Sequence, residues 1–215
     1  MKIYHKISDF NTTVNTVASV GTFDGIHLGH QAIIGKLKEM AVKFNAETVL
    51  LTFHPHPQVF LHPGGQRFIL NTVEEKIQLL SKFNINHLVI IPFTADFSKI
   101  PYNEFINEYL LKIIKAKGIV IGYDHHYGNN RLGNIDYLME FVLQNQISIE
   151  SVDAQKVRGE VISSTKIRNA LKKGDITGAN DMLGYPYFFS GKVVEGNKIG
   201  KTIDFPTANL EIPDK

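Results

Sequence analysis

His27 and His30 stand three residues apart with Gly29 between them, in the run "VGTFDGIHLGHQAII" that spans residues 20–34. A second run, "ISSTKIR" at 162–168, sets Ser163, Ser164 and Thr165 ahead of Arg168. If a helix opens near His30, both imidazoles project into the space above its amino terminus. There the free backbone N–H groups and the helix dipole favour an anion. Imidazole donors in that place suit phosphate oxygens that gain charge during a transfer. Gly25 and Gly29 let a flat ring or a phosphate approach the backbone with no side chain in between. In the second run, the three hydroxyls and the first amides offer another helix amino terminus. Arg168, one turn further in, can reach back as a forked phosphate donor. Two positive helix ends flanking one crevice suit a triphosphate.

The same residue types allow other chemistry. Asp24 could cap an ordinary strand-to-helix turn that leaves two solvated histidines, and the second run could open a plain surface helix. His54, His56, His125 and His126 could also join His27 and His30 around zinc. Against that, no cysteine is present and no helix carries a His-x-x-x-His pair.

The periodicity of the chain says which elements must hold these residues. "NTVASVGTF" is a short β-branched run that reads as a buried strand, and "HQAIIGKLKEMAVKF" follows with its apolar residues on one helical face. Further strands are expected in "ETVLLTF", "HLVIIPF", "GIVIGYD" and "ISIESVDA". Helices are expected in "TVEEKIQLLSKF", "NEFINEYLLKIIKA" and "NIDYLMEFVLQN", the first opened by a capping box of Thr72 and Glu75. Strands alternate with helices from residue 16 to about 153, and several strands are apolar throughout. That pattern predicts a parallel sheet covered on both faces, a doubly wound Rossmann-like α/β domain. Ligands of such sheets bind at the carboxyl ends of the strands. The histidine-rich stretches "GTFDGIHLGH", "TFHPHP" and "GYDHHYGNNRLG" all fall there. Past residue 184, "YPYFFSGKVVEGNKIGKTIDFPTANLEI" has short strand-like runs and no helix, and reads as the start of an all-β unit that stops before a barrel could close. The expected division is 1–184 for the α/β domain and 185–215 for the incomplete barrel.

Composition narrows the classes. With 215 residues and 43% hydrophobic content the chain can build one full core and part of a second. A formal net charge of +2 gives no field that would argue for nucleic acid or an acidic membrane. The absence of cysteine excludes disulfides, thiolate metal sites and cysteine nucleophiles. The opening "MKIYHKISDFNTT" lacks a signal-peptide core, and no apolar run approaches the ~20 residues that span a bilayer. A soluble, cytoplasmic protein is the expectation.

Five stretches, in order, carry a family resemblance. "GTFDGIHLGH" resembles the His-x-Gly-His signature of the nucleotidyltransferase superfamily in the form used by bacterial FMN adenylyltransferases. "ISSTKIR" is similar to that superfamily's second signature. "TFHPHP" resembles the family's loop after the second strand, and "GYDHHYGNNRLG" its third conserved loop. "GKVVEGNKIGKTIDFPTANL" is similar to the opening of a riboflavin kinase domain, with its Pro-Thr-Ala-Asn motif. Order and spacing match the bifunctional riboflavin kinase/FAD synthetase family over essentially the whole chain. Departures are visible too. His125 stands where the family usually has an aromatic residue and His126 where it often has a basic one. Asp204 replaces a usual glycine before "FPTAN".

The resemblance implies transfer of AMP from ATP to the phosphate of FMN, giving FAD and pyrophosphate, with Mg²⁺ accompanying ATP. It implies catalytic roles for His27, His30 and Arg168, the last with Ser164 and Thr165 on the leaving phosphates. Gly21, Thr22, Phe23, Asp24, Gly29, Asp124 and Ser163 complete the ATP-binding set, Asp24 being equally readable as a structural cap. The flavin contacts are unassigned, with His54, His56 and His126 as candidates. No protein metal cage is implied in the adenylyltransferase domain, whereas Thr207 and Asn209 are the kinase segment's residues near magnesium. Partners are ATP and FMN, with riboflavin for the complete enzyme, and neither nucleic acid nor membrane. The kinase segment contains no catalytic base, so the chain reads as a fragment expected to make FAD but not to phosphorylate riboflavin. The rival readings are another nucleotidyltransferase of the superfamily, a non-catalytic histidine-rich metal module, and a flavin-binding regulator.

Overall fold

The apolar strand runs assemble as one parallel sheet. In the computed structural model, which describes residues 1–62, 68–123, 147–196, 204–205 and 207–212, its strands are β1 (Lys2–Tyr4), β2 (Thr16–Val20), β3 (Glu47–His54), β4 (His87–Pro92), β5 (Ala116–Gly122) and β6 (Ser148–Val152). They lie in the order β1-β4-β3-β2-β5-β6, every pairing parallel. The flanking helices are α1 (Leu28–Phe44), the short α2 (Pro57–Leu61), α3 (Val73–Leu80), α4, α5 (Ser164–Lys172) and α6 (Ile176–Leu183). Helix α4 is α-helical over Tyr102–Glu104 and π-helical over Phe105–Ile113.

Alternation along the strands builds two cores. Val17, Leu50, Leu88, Ile90 and Val120 face Ile34, Leu37 and Met40 of α1 and Leu79 and Leu80 of α3. Their neighbours Ala18, Val49, Leu51, Val89, Ile91, Ile119 and Ile121 face Phe105, Ile106 and Leu110 of α4. Strands buried on both faces have no polar alternation to show, as the sequence anticipated. The chain leaves β2 towards β3 and β4, then returns to β2's other side for β5. That reversal opens a crevice at the carboxyl ends of β2 and β5.

Three features depart from the sequence expectation or extend it. Strand β1 went unread because three residues with one lysine make no run. Helix α4 is mostly π-wound, its apolar pairs recurring at 105/106, 109/110 and 113/114. A four-residue period outpaces the 3.6-residue α-helix, and the wider turn keeps those pairs on one face. Helix α1 begins at Leu28, two residues earlier than His30, with His27 as its N-cap. The helix expected in "NIDYLMEFVLQN" lies outside the described residues. The capping box of Thr72 and Glu75 forms as expected, Glu75 Oε2 accepting from the Thr72 N–H at 2.9 Å.

After α6 the chain stays against the sheet domain. Tyr185 donates its hydroxyl to the Gly25 carbonyl at 2.6 Å, and Glu75 Oε1 accepts from both the N–H and the hydroxyl of Ser190, at 2.7 and 2.9 Å. Beyond it, β7 (Lys192–Val194) pairs antiparallel with β8 (Asn209–Glu211), which fits part of a barrel. Asp204 takes a φ of 54°, so an aspartate occupies the left-handed backbone that a glycine would take there.

Candidate functional site

The turn after β2 does not follow ordinary backbone. Phe23, Gly25 and Ile26 have φ of 46°, 83° and 37°, which buries Phe23 and Ile26 and turns the chain sharply into α1. Only at Gly25 is that φ free of a side-chain penalty. Asp24 explains much of the turn's shape. Its carboxylate is 1% exposed, with Oδ1 accepting from the N–H groups of Leu70 at 2.9 Å and Asn71 at 3.3 Å, and Oδ2 from Arg168 Nη2 at 2.5 Å. The Asp24 carbonyl accepts from the Ser164 hydroxyl at 2.8 Å. Asp24 is therefore the tie between the two signature stretches, not the cap of α1.

The cap of α1 is a histidine. His27 Nδ1 accepts from the His30 N–H at 3.4 Å, which leaves the ring's proton on Nε2 in its neutral form. The His27 and His30 rings stack with centroids 3.7 Å apart and planes 16° apart. Gly29 permits this, since a Cβ there would lie 3.1 Å from the His27 ring. His27 is buried and His30 half-buried, so the solvated-histidine alternative does not describe them. Across the crevice, Ser163 caps α5 by accepting from the Lys166 N–H at 3.3 Å.

These elements line one crevice of about 1090 Å³. Gly21, Thr22, Phe23, His27, Gly29 and His30 form one side, and Ser163, Ser164, Thr165 and Arg168 another. Asp24 lies behind the wall. His56 lines the crevice as the N-cap of α2, its Nδ1 accepting from the Gln58 N–H at 3.1 Å, whereas His54 is exposed and outside the lining. Asp124, His125 and His126 lie outside the described residues. Among the described residues, no group of three or more His, Asp or Glu side chains could hold a metal ion, so the zinc cluster is not assembled there. Thr207 and Asn209 are exposed, Asn209 opening β8, and neither is among the described lining residues. No described helix is long and apolar enough to cross a membrane.

Two sets of residues escaped the sequence reading. Phe53, Phe93, Phe97 and Phe105 form an aromatic wall of the crevice, in edge contacts with centroids 5.8 Å apart for Phe53–Phe93 and Phe93–Phe97, and 6.0 Å for Phe97–Phe105. Phe53 and Phe93 sit at the carboxyl ends of β3 and β4, a position that could have marked them. Lys76 is buried on the inner side of α3, and burial pushes its ammonium down to about 8 against the attraction of Asp24. A lysine within the apolar stripe of Val73, Leu79 and Leu80 was the readable signal.

Comparison with known proteins adds to this geometry. Residues 9–166 match the model of the FAD synthetase family and residues 183–215 that of riboflavin kinase. A Listeria monocytogenes protein named bifunctional riboflavin kinase/FMN adenylyltransferase is 36% identical over 212 residues, which cover 98% of this chain and 67% of that protein. Proteins of the same name from Bacillus subtilis and Escherichia coli K12 are 34% and 31% identical, each over 91% of this chain and over 61% and 63% of their own lengths. The chain thus spans about two thirds of the length of these relatives. A solved structure described as a macrolide-efflux protein from Streptococcus pneumoniae superposes with a TM-score of 0.84 at 30% identity, covering 99% of this chain and 69% of that one.

Proposed function

We propose that this chain, which belongs to the FAD synthetase family, transfers the adenylyl group of ATP to the phosphate of FMN. An oxygen of the FMN phosphate attacks the α-phosphorus of ATP, the bond from that phosphorus to the bridging oxygen breaks, and pyrophosphate leaves. The nucleophile is already anionic, so no covalent enzyme intermediate and no general base are needed. The protein's work is to align two substrates and to stabilise charge developing on phosphate oxygens.

The observation that carries the reading is the meeting of two helix amino termini, α1 behind His27 and α5 behind Ser163, on one crevice joined through Asp24. His27 and His30 are assigned to the triphosphate and its transition state. Ser163, Ser164 and Thr165 belong to the β- and γ-phosphates, as does Arg168, with one guanidinium nitrogen on Asp24 to fix its direction. Gly21, Thr22, Phe23 and Gly29 shape the ATP side, and Asp124 contacts ATP. The aromatic wall of Phe53, Phe93, Phe97 and Phe105 is assigned to the flavin ring, with His56 beside it; His54 is the weaker candidate, being exposed.

Magnesium neutralises phosphate charge when bound with ATP. The donor set fits an ion held by phosphate oxygens and water: Asp24 has already committed both carboxylate oxygens, and the described residues offer no acidic cage. A cytoplasmic location belongs to the same proposal, ATP being the substrate.

The test is pyrophosphate release with ATP and FMN, run beside pantetheine phosphate and nicotinamide mononucleotide as acceptors. FAD formation with FMN alone is expected. Release only with another acceptor would make the chain a different nucleotidyltransferase, and FMN binding without release would make it a flavin-binding regulator.

A further inference from the structure

Lys76 is 6% exposed, and its Nζ donates to the Thr22 carbonyl at 2.6 Å and to Thr52 Oγ1 at 3.2 Å. The Thr52 hydroxyl donates to the same carbonyl at 3.0 Å. Three elements, α3, β3 and the end of β2, thus close a triangle on one peptide oxygen. That oxygen belongs to the residue immediately before the turn in which Phe23 and Ile26 carry positive φ. Strained backbone of this kind persists only where its surroundings over-determine it.

Core packing does not call for a lysine here. A buried ammonium loses hydration, and an apolar side chain of similar volume is usually neutral or better for stability at such a place. The burial that pushes Lys76 towards about 8 is that cost in another form. Lys76 is also absent from the crevice lining, whereas Thr22, Phe23 and His27 on the turn it holds are present in it.

We infer that Lys76 is a positioning residue, whose hydrogen bonds to the Thr22 carbonyl and Thr52 hydroxyl hold the Thr22–Ile26 turn in the strained form that presents Thr22, Phe23 and His27 to the crevice. Its consequence for turnover rests on the adenylyl-transfer reading; its hold on the turn does not.

The experiment compares the full chain with Lys76→Met and Lys76→Gln by thermal unfolding, by amide hydrogen exchange of residues 20–30, and by kcat and KM for ATP and FMN. Met fills the space without a donor, whereas the Gln amide can still donate to the carbonyl. The expected result for Lys76→Met is an unchanged or raised midpoint, exchange faster by about tenfold or more within the turn, and kcat lower by ~10–10² with KM changed less, the scale on which a misplacement of about 1 Å acts. Lys76→Gln should recover most of both. A Met variant with wild-type exchange in the turn overturns the proposal. So does a midpoint that falls in step with activity in both variants, since Lys76 would then serve the core alone. If the unaltered chain releases no pyrophosphate from ATP and FMN, the adenylyl-transfer reading fails and the exchange comparison decides Lys76 by itself.

Discussion

The two ends of the parallel sheet are built from similar residues and do different work. At the amino end, His87 is buried with Nε2 2.7 Å from Glu47 Oε2 and Nδ1 3.2 Å from the Tyr4 hydroxyl, and Phe10 packs edge-on against its ring. Thr12 donates to the same carboxylate at 3.3 Å. At the carboxyl end, Asp24 takes Arg168, and His27 takes the His30 amide, around an open crevice. Both ends hold a histidine and an acid in hydrogen-bonded pairs. Only one leaves its polar groups beside a space that a ligand could fill. A histidine is therefore informative only with its surroundings: His87 completes a closed network joining β1, β3 and β4, whereas His27 caps a helix whose amides face the crevice.

Breaking each acid in turn gives the largest expected contrast. Asp24→Ala leaves the Arg168 guanidinium and two backbone N–H groups without their buried acceptor, and should cost about 3–5 kcal/mol of stability. Glu47→Ala, at a half-exposed carboxylate, should cost about 1 kcal/mol or less. Urea unfolding of the two variants measures the difference, and equal losses would remove the distinction drawn here.

The histidines separate the ends by a different observable. His30→Ala should lower turnover by ~10²–10³, roughly 3–4 kcal/mol of transition-state stabilisation, while leaving ATP affinity nearly intact. His87→Ala should lower the thermal midpoint and leave kcat of the folded protein unchanged. A His30 variant with native turnover would reduce that ring to a packing partner of His27.

Arg168→Lys sharpens the contrast within the crevice. The charge survives, but an ammonium cannot hold Asp24 and a phosphate with one rigid fork. A loss of ~10–10² in kcat/KM is expected, the worth of one charged hydrogen bond. Near-native kcat/KM would leave Arg168 as a diffuse charge only.

The smallest effect is one of pH at the amino end. The hydrogen bond from His87 holds the Glu47 carboxyl below its ordinary value of 4.5, against the opposing pull of burial. A carboxyl whose folded value is depressed contributes stability above its unfolded value and loses it as pH falls through the folded one. The stability difference between the native chain and Glu47→Gln should therefore be steady above about pH 5 and shrink as pH falls below the ordinary value of 4.5, amounting to under ~1 kcal/mol at a half-exposed site. A difference that does not shrink on acidification would assign the effect to packing.

The strand–helix alternation, the capping box at Thr72 and the two signature stretches were legible in the sequence because each rests on local spacing. Val17 and Ala18 face opposite cores whatever lies beyond them, since successive strand side chains point to opposite sides. The burial of His27 was not legible, because solvent exposure of a turn depends on distant parts of the chain; Tyr185, for one, donates to the Gly25 carbonyl of that turn from 160 residues away. The aromatic wall was missed for a related reason. Phe53, Phe93, Phe97 and Phe105 come from separate stretches of the chain, and only the fold brings them together at one rim.

What the sequence determined by itself, then, is short-range: which segments extend, which wind, where helices open, and that two anion-favouring helix ends exist. Tertiary structure decided how those ends meet. Asp24 and Arg168 are 144 residues apart in the chain and Lys76 and Thr22 are 54 apart, yet each pair is within hydrogen-bonding distance. No local period encodes such contacts, because they are set by the return of the chain to the other side of β2 and by the desolvation that makes a buried charge seek its partner.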